Sequence, residues 1–341
     1  MLEIKDLHVR FHGSDHDAVG GISLTVADGQ IMGLVGESGS GKTVTAMVIS
    51  GLMPQRRADI SGQVLLDGKD LLALSPADMR KRQGCAISVV FQEPMSAMNP
   101  VMRIGPQVEE ALRVHTKLSP QERRERALQA LRDVDLPDAE AIYDKYPHQM
   151  SGGMLQRAMI AAAIISRPKL LLADEPTTAL DVTIQAQVLN LLKDLKKKYH
   201  LTIIFITHDL GVVANIAERV AVMYAGDIVE IGLVNEIFYD PHHPYTWALL
   251  SSLPQLGHRG EDLYSIKGTP PNLFQEIHGD AFAPRNPHAL TIDRIEQPPY
   301  FDVSPTHKAR TWLLDPRAPK VEPPEAIRKL KQLGGNAVGN E

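Results

Sequence analysis

Residues 2–11 alternate apolar and polar side chains, and residues 21–26 do so again after a polar stretch at 12–17. That period of two predicts two strands joined by a turn. Residues 30–35 (QIMGLV) are nearly continuously apolar, as in a strand buried on both faces. They run into a glycine-rich loop, and residues 43–52 then read as a helix. Residues 63–66 and 86–91 read as further strands. From about residue 94 the period becomes helical. Ser119-Pro120-Gln121-Glu122 is a helix start. The serine can accept a first-turn amide, proline suits a position that needs no N–H, and the glutamate closes a capping box. A helix is predicted over 122–134 and another over 151–166, ended by Pro168. Residues 170–173 are a short apolar strand ending in Asp174-Glu175. A helix over 184–199 and a strand over 201–207 ending at His208 follow. Strands alternating with helices imply a largely parallel sheet, whose ligands bind at the strands' carboxyl ends. Asp174, Glu175 and His208 all fall at such ends. After about residue 233, Pro241, Pro244, Pro254, Pro270 and Pro271 break the pattern, which predicts a small irregular C-terminal domain, and residues 334–341 are expected to fray.

The 341 residues allow two or more domains, and a hydrophobic content of 43% is too high for a disordered chain. A net charge of −5 argues against a broad basic surface for nucleic acid. The single cysteine, Cys85, excludes an internal disulfide framework, fits a reducing compartment and reads as a small buried hydrophobe. The N-terminus lacks the basic start and apolar run of a signal peptide. The longest apolar runs, such as 158–165, fall well short of the roughly 18 residues that suggest a membrane span. The chain is therefore not expected to cross a membrane alone, though it could dock on a protein that does.

Residues 36–43 (GESGSGKT) match G-x-x-x-x-G-K-[ST] in the strand–loop–helix setting that this motif requires. Gly36, Ser38, Gly39, Ser40 and Gly41 would bring backbone amides together on phosphate oxygens, in front of a helix N-terminus. Lys42 would reach the β- and γ-phosphates, and the Thr43 hydroxyl would coordinate Mg²⁺. Asp174 fits a role beside Mg²⁺ through water, and Glu175 that of general base or water-positioning group. A second anion site is expected at Ser151, Gly152 and Gly153, where a glycine pair opens a helix too far along the chain to belong to the first loop.

Taken with these motifs, residues 151–157 (SGGMLQR) resemble the signature motif of ATP-binding cassette (ABC) transporter subunits, with Met150 where that family usually has leucine. The resemblance covers about residues 1–235. It implies an α/β P-loop NTPase core with an antiparallel β subdomain and a helical subdomain at about 95–165, binding ATP and Mg²⁺. Gln92 resembles the glutamine that touches Mg²⁺ or the attacking water. Ala179-Leu180-Asp181 resembles the loop that crosses the dimer interface, and His208 the histidine that contacts the γ-phosphate. Phe11 is open to two readings, stacking on adenine or packing in the core. In the family each phosphate loop faces the signature of an opposite subunit. The partners implied are a second, non-identical cassette, two transmembrane permease subunits and an extracytoplasmic substrate-binding protein, with no nucleic acid. The location implied is the cytoplasmic face of the membrane, with permeases coupling at residues 94–100.

Residues 236–341 narrow the resemblance. His243-Pro244-Tyr245-Thr246, Gly268-Thr269-Pro270-Pro271 and Phe282-Ala283-Pro284-Arg285 resemble the C-terminal region of oligopeptide and dipeptide importer ATPases. Peptide is therefore the expected cargo, nickel or a small sugar the alternative, and a non-transport cassette ATPase the competing class. Many relatives hold an iron–sulfur cluster here on four cysteines. The matching positions are Asp280, Asn286, Asp293 and Thr311, so no cluster is expected. Phe274, Phe282, Tyr300, Phe301 and Trp312 are the expected packing anchors of this tail.

Overall fold

The computed structural model describes residues 1–54, 56–178, 180–253, 266–271 and 277–338. Ala179 and Phe274 lie outside them. Among the described residues the strands are, in chain order, β1 (Leu2–Phe11), β2 (Val19–Val26), β3 (Ile31–Val35), β4 (Ala58–Leu66), β5 (Lys69–Asp70), β6 (Ile87–Val90), β7 (Leu170–Asp174), β8 (Thr202–Thr207), β9 (Arg219–Tyr224), β10 (Asp227–Leu233), β11 (Phe301–Asp302) and β12 (Lys308–Ala309).

Two sheets result. An antiparallel sheet has the order β2-β1-β4-β5, and a larger one the order β11-β12-β10-β9-β3-β8-β7-β6. In the larger sheet, β9, β3, β8, β7 and β6 are parallel neighbours. The apolar runs of β3 and β8 are buried at every residue, because both faces of a parallel sheet are covered. The carboxyl ends of β3, β8, β7 and β6 therefore come together at one edge, delivering the phosphate loop, His208, Asp174-Glu175 and Gln92. The antiparallel sheet is tied to this edge where Gly20 donates its N–H to the Gly226 carbonyl and Gly226 donates its own to the Ser40 carbonyl.

Between β6 and β7 the longer elements are helical, including Pro120–Asp133 and Gly152–Ile164. Ser119 and Glu122 make the expected capping box, with Pro120 in the first turn. Ser151 caps the second helix by accepting the Met154 N–H. The hairpin β9–β10 was not legible in the sequence. Its strands are buried, so their residues do not alternate, and they end the parallel run with an antiparallel pair.

Three details differ from the sequence reading. Cys85 is exposed rather than buried, because it sits in a turn ahead of β6 where its N–H bonds the Arg82 carbonyl. The helix Glu325–Val338 takes in part of the segment expected to fray. Of the described aromatic anchors only Phe282 is fully buried, at 1% exposure, while Tyr300 is 42% exposed and Phe301 and Trp312 are intermediate. Around those aromatics the tail is made of short turns and two-residue strands, while its apolar packing comes from the helices Pro244–Ser251 and Glu325–Val338, which bury Tyr245, Trp247, Leu250, Ile327 and Leu330. It is joined to the larger sheet through that apolar packing, through β12 on β10 and through buried polar groups. Glu230 of β10, fully buried, accepts the N–H groups of His242 and His243 and faces His307 Nε2 at 2.8 Å.

The positions matched to cysteines in relatives are all buried, and each serves a local turn. Asp280 Oδ1 accepts the Phe282 N–H, Asn286 Oδ1 that of His288, Thr311 Oγ1 that of Leu313 and Asp293 Oδ2 that of Leu290. Burial raises the Asp280 pKa to about 7, with the Phe282 N–H opposing and the Asp293 charge adding to the rise. A carboxyl raised in the folded state binds more protons there than in the unfolded chain. The cost of its burial is absent below about pH 4 and complete above about 7. Stability should therefore fall across that window. Asp280→Asn, which keeps the acceptor, should be the more stable form by about 1–3 kcal/mol at pH 8 and equal to wild type near pH 4 in thermal denaturation.

Candidate nucleotide site

The loop between β3 and the helix Lys42–Ile49 depends on glycine at two close approaches. A Cβ at Gly36 would collide with the Met223 carbonyl oxygen. At Gly41, whose φ is +101°, it would lie 2.6 Å from the Ala18 carbonyl oxygen. The helix that follows has Gly41 at its N-cap, with no side chain capping it and no acidic residue in its first turn. Its amide groups and positive dipole end are thus left to an anion.

Lys42 is buried, at 5% exposure, and its Nζ donates to the carbonyls of Gly36 and Glu37 and to Ser40 Oγ. Burial lowers its pKa, and the charges of Glu175, Asp174 and Glu37 oppose that. Thr43 Oγ1 lies 3.3 Å from Asp174 Oδ1. Burial raises the Asp174 pKa, while the Thr43 bond lowers it.

Glu175 sits at the end of β7 with φ of +45°, a conformation that costs energy for a residue with a Cβ. Its N–H donates to the Ile206 carbonyl, so β8 holds the turn. Gln92 Nε2 donates to its Oε2 at 3.0 Å and Thr178 Oγ1 to the same oxygen at 2.9 Å. His208 Nδ1 is 3.2 Å from Oε1. Three separate strand ends therefore converge on one carboxylate. Thr178 was missed in the sequence, where a threonine in a loop carries no signal of its own.

Residues 37–43, Gln92, Glu175, Thr178 and His208 line one cavity of about 980 Å³. Phe11, Ser14 and Ala18 close one side of it, and Leu249, Ser252 and Ile266 line it from the tail. Ser151, Gly152, Gly153 and Asp181 are not there. They line a different cavity of about 530 Å³, with Leu180, Arg157 and Ile184. A Cβ at Gly153 would lie 2.9 Å from Ile184, whereas one at Gly152 would meet nothing within 4 Å, so the second face is open. Asp181 caps the helix Val182–Tyr199, accepting the N–H groups of Thr183 and Ile184.

The chain is similar to known proteins along nearly its whole length. The family model for "ABC transporter" matches residues 19–178, and that for "Oligopeptide/dipeptide transporter, C-terminal region" matches 229–292. The chain is 52% identical to the oligopeptide transport ATP-binding protein OppD of Bacillus subtilis (strain 168), over 98% of this chain and 94% of that protein. It is likewise 52% identical to the dipeptide transport ATP-binding protein DppD of Lactococcus lactis subsp. cremoris (strain MG1363), over 98% of each. Among solved structures, a dimeric post-hydrolysis state of the ATP-binding cassette MJ0796 bound to ADP and Pi superposes with a TM-score of 0.61 at 28% identity, covering 69% of this chain and 99% of that one. No helix among the described residues is long and apolar enough to cross a membrane. With its phosphate loop, its converging strand ends and its matching C-terminal region, the chain belongs to the ATP-binding subunits of oligopeptide/dipeptide ABC transporters.

Proposed function

We propose that this chain is one of two non-identical cassettes that hydrolyse ATP to drive peptide import, from the cytoplasmic face of the membrane. The observation that carries the hydrolytic reading is the Glu175 carboxylate, held by Gln92, Thr178 and His208 on the same cavity as Lys42 and Thr43. Water attacks the γ-phosphorus, the new P–O bond forms as the bond to the β–γ bridging oxygen breaks, and ADP and phosphate result. Glu175 takes the proton of that water, and His208 and Gln92 orient it and the γ-phosphate. Lys42 and the amides of residues 36–41 bind the β- and γ-phosphates, and Phe11, which both packs against the core of the antiparallel sheet and lines the cavity, offers its remaining face to adenine.

The Thr43 hydroxyl, the Asp174 carboxylate and the Gln92 amide oxygen are the hard oxygen donors that suit Mg²⁺, and Thr43 and Asp174 already lie within hydrogen-bond distance. Those residues would hold the ion, which when bound neutralises charge between the β- and γ-phosphates.

A second cassette is supported by the separation of the two cavities in one chain and by the dimeric state named for MJ0796. Ser151, Gly152 and Gly153 meet the γ-phosphate held by the partner cassette, and Asp181 lies beside that interface. Two permease subunits dock at residues 94–100. In support, Phe91, Met95 and Val101 are 45%, 55% and 80% exposed, and Phe91 lines a cleft of about 420 Å³. Residues 1–235 form the nucleotide-binding unit, with its helical subdomain at about 95–165, and residues 236–341 the C-terminal unit. Peptide cargo, delivered by an extracytoplasmic binding protein, follows from the oligopeptide and dipeptide transport named for the relatives.

Gly152→Asp tests the composite site and the cargo together. Its side chain enters open space, so the fold and the single chain's ATP affinity should hold, while its charge faces the partner's phosphate. In the assembled transporter, ATP hydrolysis and uptake of labelled peptide should fall together by about 10²-fold. Peptide uptake that persists while hydrolysis is lost would show that this ATPase does not drive it, and hydrolysis that persists would remove the composite site.

A further inference from the structure

Glu37, the second residue of the phosphate loop, is gripped from the tail on two sides. Its backbone N–H donates to Tyr245 Oη at 2.8 Å. Its carboxylate accepts both arms of Arg285, Nη1 to Oε2 at 2.7 Å and Nη2 to Oε1 at 3.2 Å. The Arg285 side chain is only 6% exposed, and its Nε donates to the Lys267 carbonyl. The partners lie 208 and 248 residues apart in sequence. On its other side the Glu37 carbonyl accepts from Lys42 Nζ at 2.7 Å. The tail and the phosphate-binding lysine thus hold the same residue.

The bracket is packed from behind. Phe282 packs edge-on against Tyr224 and Tyr245, with ring centroids 5.2 and 5.3 Å away. Asp280 fixes the turn that carries Phe282 toward Arg285. Leu249 and Ser252 of the same region line the nucleotide cavity.

We propose that Arg285 and Tyr245 are positioning residues for ATP: the C-terminal region is a working part of the nucleotide site, holding the phosphate loop in its receiving shape through Glu37. This rests on the phosphate-loop reading above. A loop with glycines at 36, 39 and 41 loses much backbone freedom when it orders around a triphosphate. A bidentate, largely buried arginine–carboxylate pair meets that cost in advance and neutralises a carboxylate that would otherwise repel the phosphates.

The test is kinetic, on the full chain in the assembled transporter. Arg285→Ala should raise the KM for ATP by about tenfold, the net effect of losing a bidentate charge-assisted pair that acts through the loop and not on ATP itself, with kcat changed less than about threefold. The double variant Glu37→Ala/Arg285→Ala should be no worse than Arg285→Ala, because both remove one contact. Additive losses, an unchanged KM, or a fall confined to kcat would overturn the proposal. Should Arg285→Ala not fold, Tyr245→Phe removes only the hydroxyl and should raise KM by about threefold at constant kcat, and an unchanged KM there overturns it equally. Lys42→Ala separates the two levels. Hydrolysis surviving in Lys42→Ala defeats the site itself, whereas its loss in Lys42→Ala alongside wild-type kinetics in Arg285→Ala defeats only the role of the tail.

Discussion

Replacing Glu175 by Gln is expected to slow ATP hydrolysis by roughly 10²–10⁴-fold while ATP still binds. The amide keeps the size of the carboxylate and can still face Gln92, Thr178 and His208, so the site stays assembled. What it loses is the ability to take a proton from water. Because binding precedes that step, two cassettes carrying the substitution should accumulate in the closed, ATP-loaded state. Phosphate release under saturating ATP and a parallel measurement of bound nucleotide check both halves. Near-normal phosphate release would remove Glu175 as the base. Loss of ATP binding would instead make it a structural residue of the turn, whose positive φ already carries strain.

Lys42→Ala should fail differently, losing affinity and turnover together. Lys42 is the positive group amid Glu37, Asp174 and Glu175, whose charges all act on it. Without it, Asp174 and Glu175 face the position meant for a polyanion with no lysine between them, and the Gly36 and Glu37 carbonyls lose their donor. A drop of at least about 10² in kcat/KM is expected, the size seen when one preorganised charge-stabilising group is removed. Nucleotide titration should show weakened ATP binding in the same variant. Hydrolysis at wild-type efficiency would rule out the phosphate loop as the site. The contrast between the two variants is the useful reading, since one separates binding from chemistry and the other abolishes both.

The nucleotide-binding core was legible because its signals are local. The phosphate loop, the capping box at Ser119 and the apolar runs of β3, β7 and β8 each depend on residues a few positions apart. Alternating strands and helices then force a parallel sheet, which brings strand ends together whatever the details of packing. Asp174, Glu175 and His208 could therefore be assigned to one edge before any contact was known, while Gln92 was named through the family resemblance.

The tail was legible only as a resemblance. Between its two helices its elements are short turns and two-residue strands, and aromatic content alone pointed to Tyr300, Phe301 and Trp312, which are partly exposed. Asp280, Asn286, Asp293 and Thr311 could be named as the places where relatives carry cysteine. Their burial and their service to backbone turns could not, since a polar side chain is buried only when a partner meets it there.

By itself the sequence determined the glycine-rich loop, the order of the strand ends that carry Gln92, Glu175 and His208, and the family, because each is fixed by spacing along the chain. Only the tertiary structure decided which groups surround Glu175, that Ser151 to Gly153 line a separate cavity, and that Arg285 reaches Glu37. Those pairings join residues dozens to hundreds of positions apart. No local period or propensity encodes them, and they exist only once the sheet and the tail have packed.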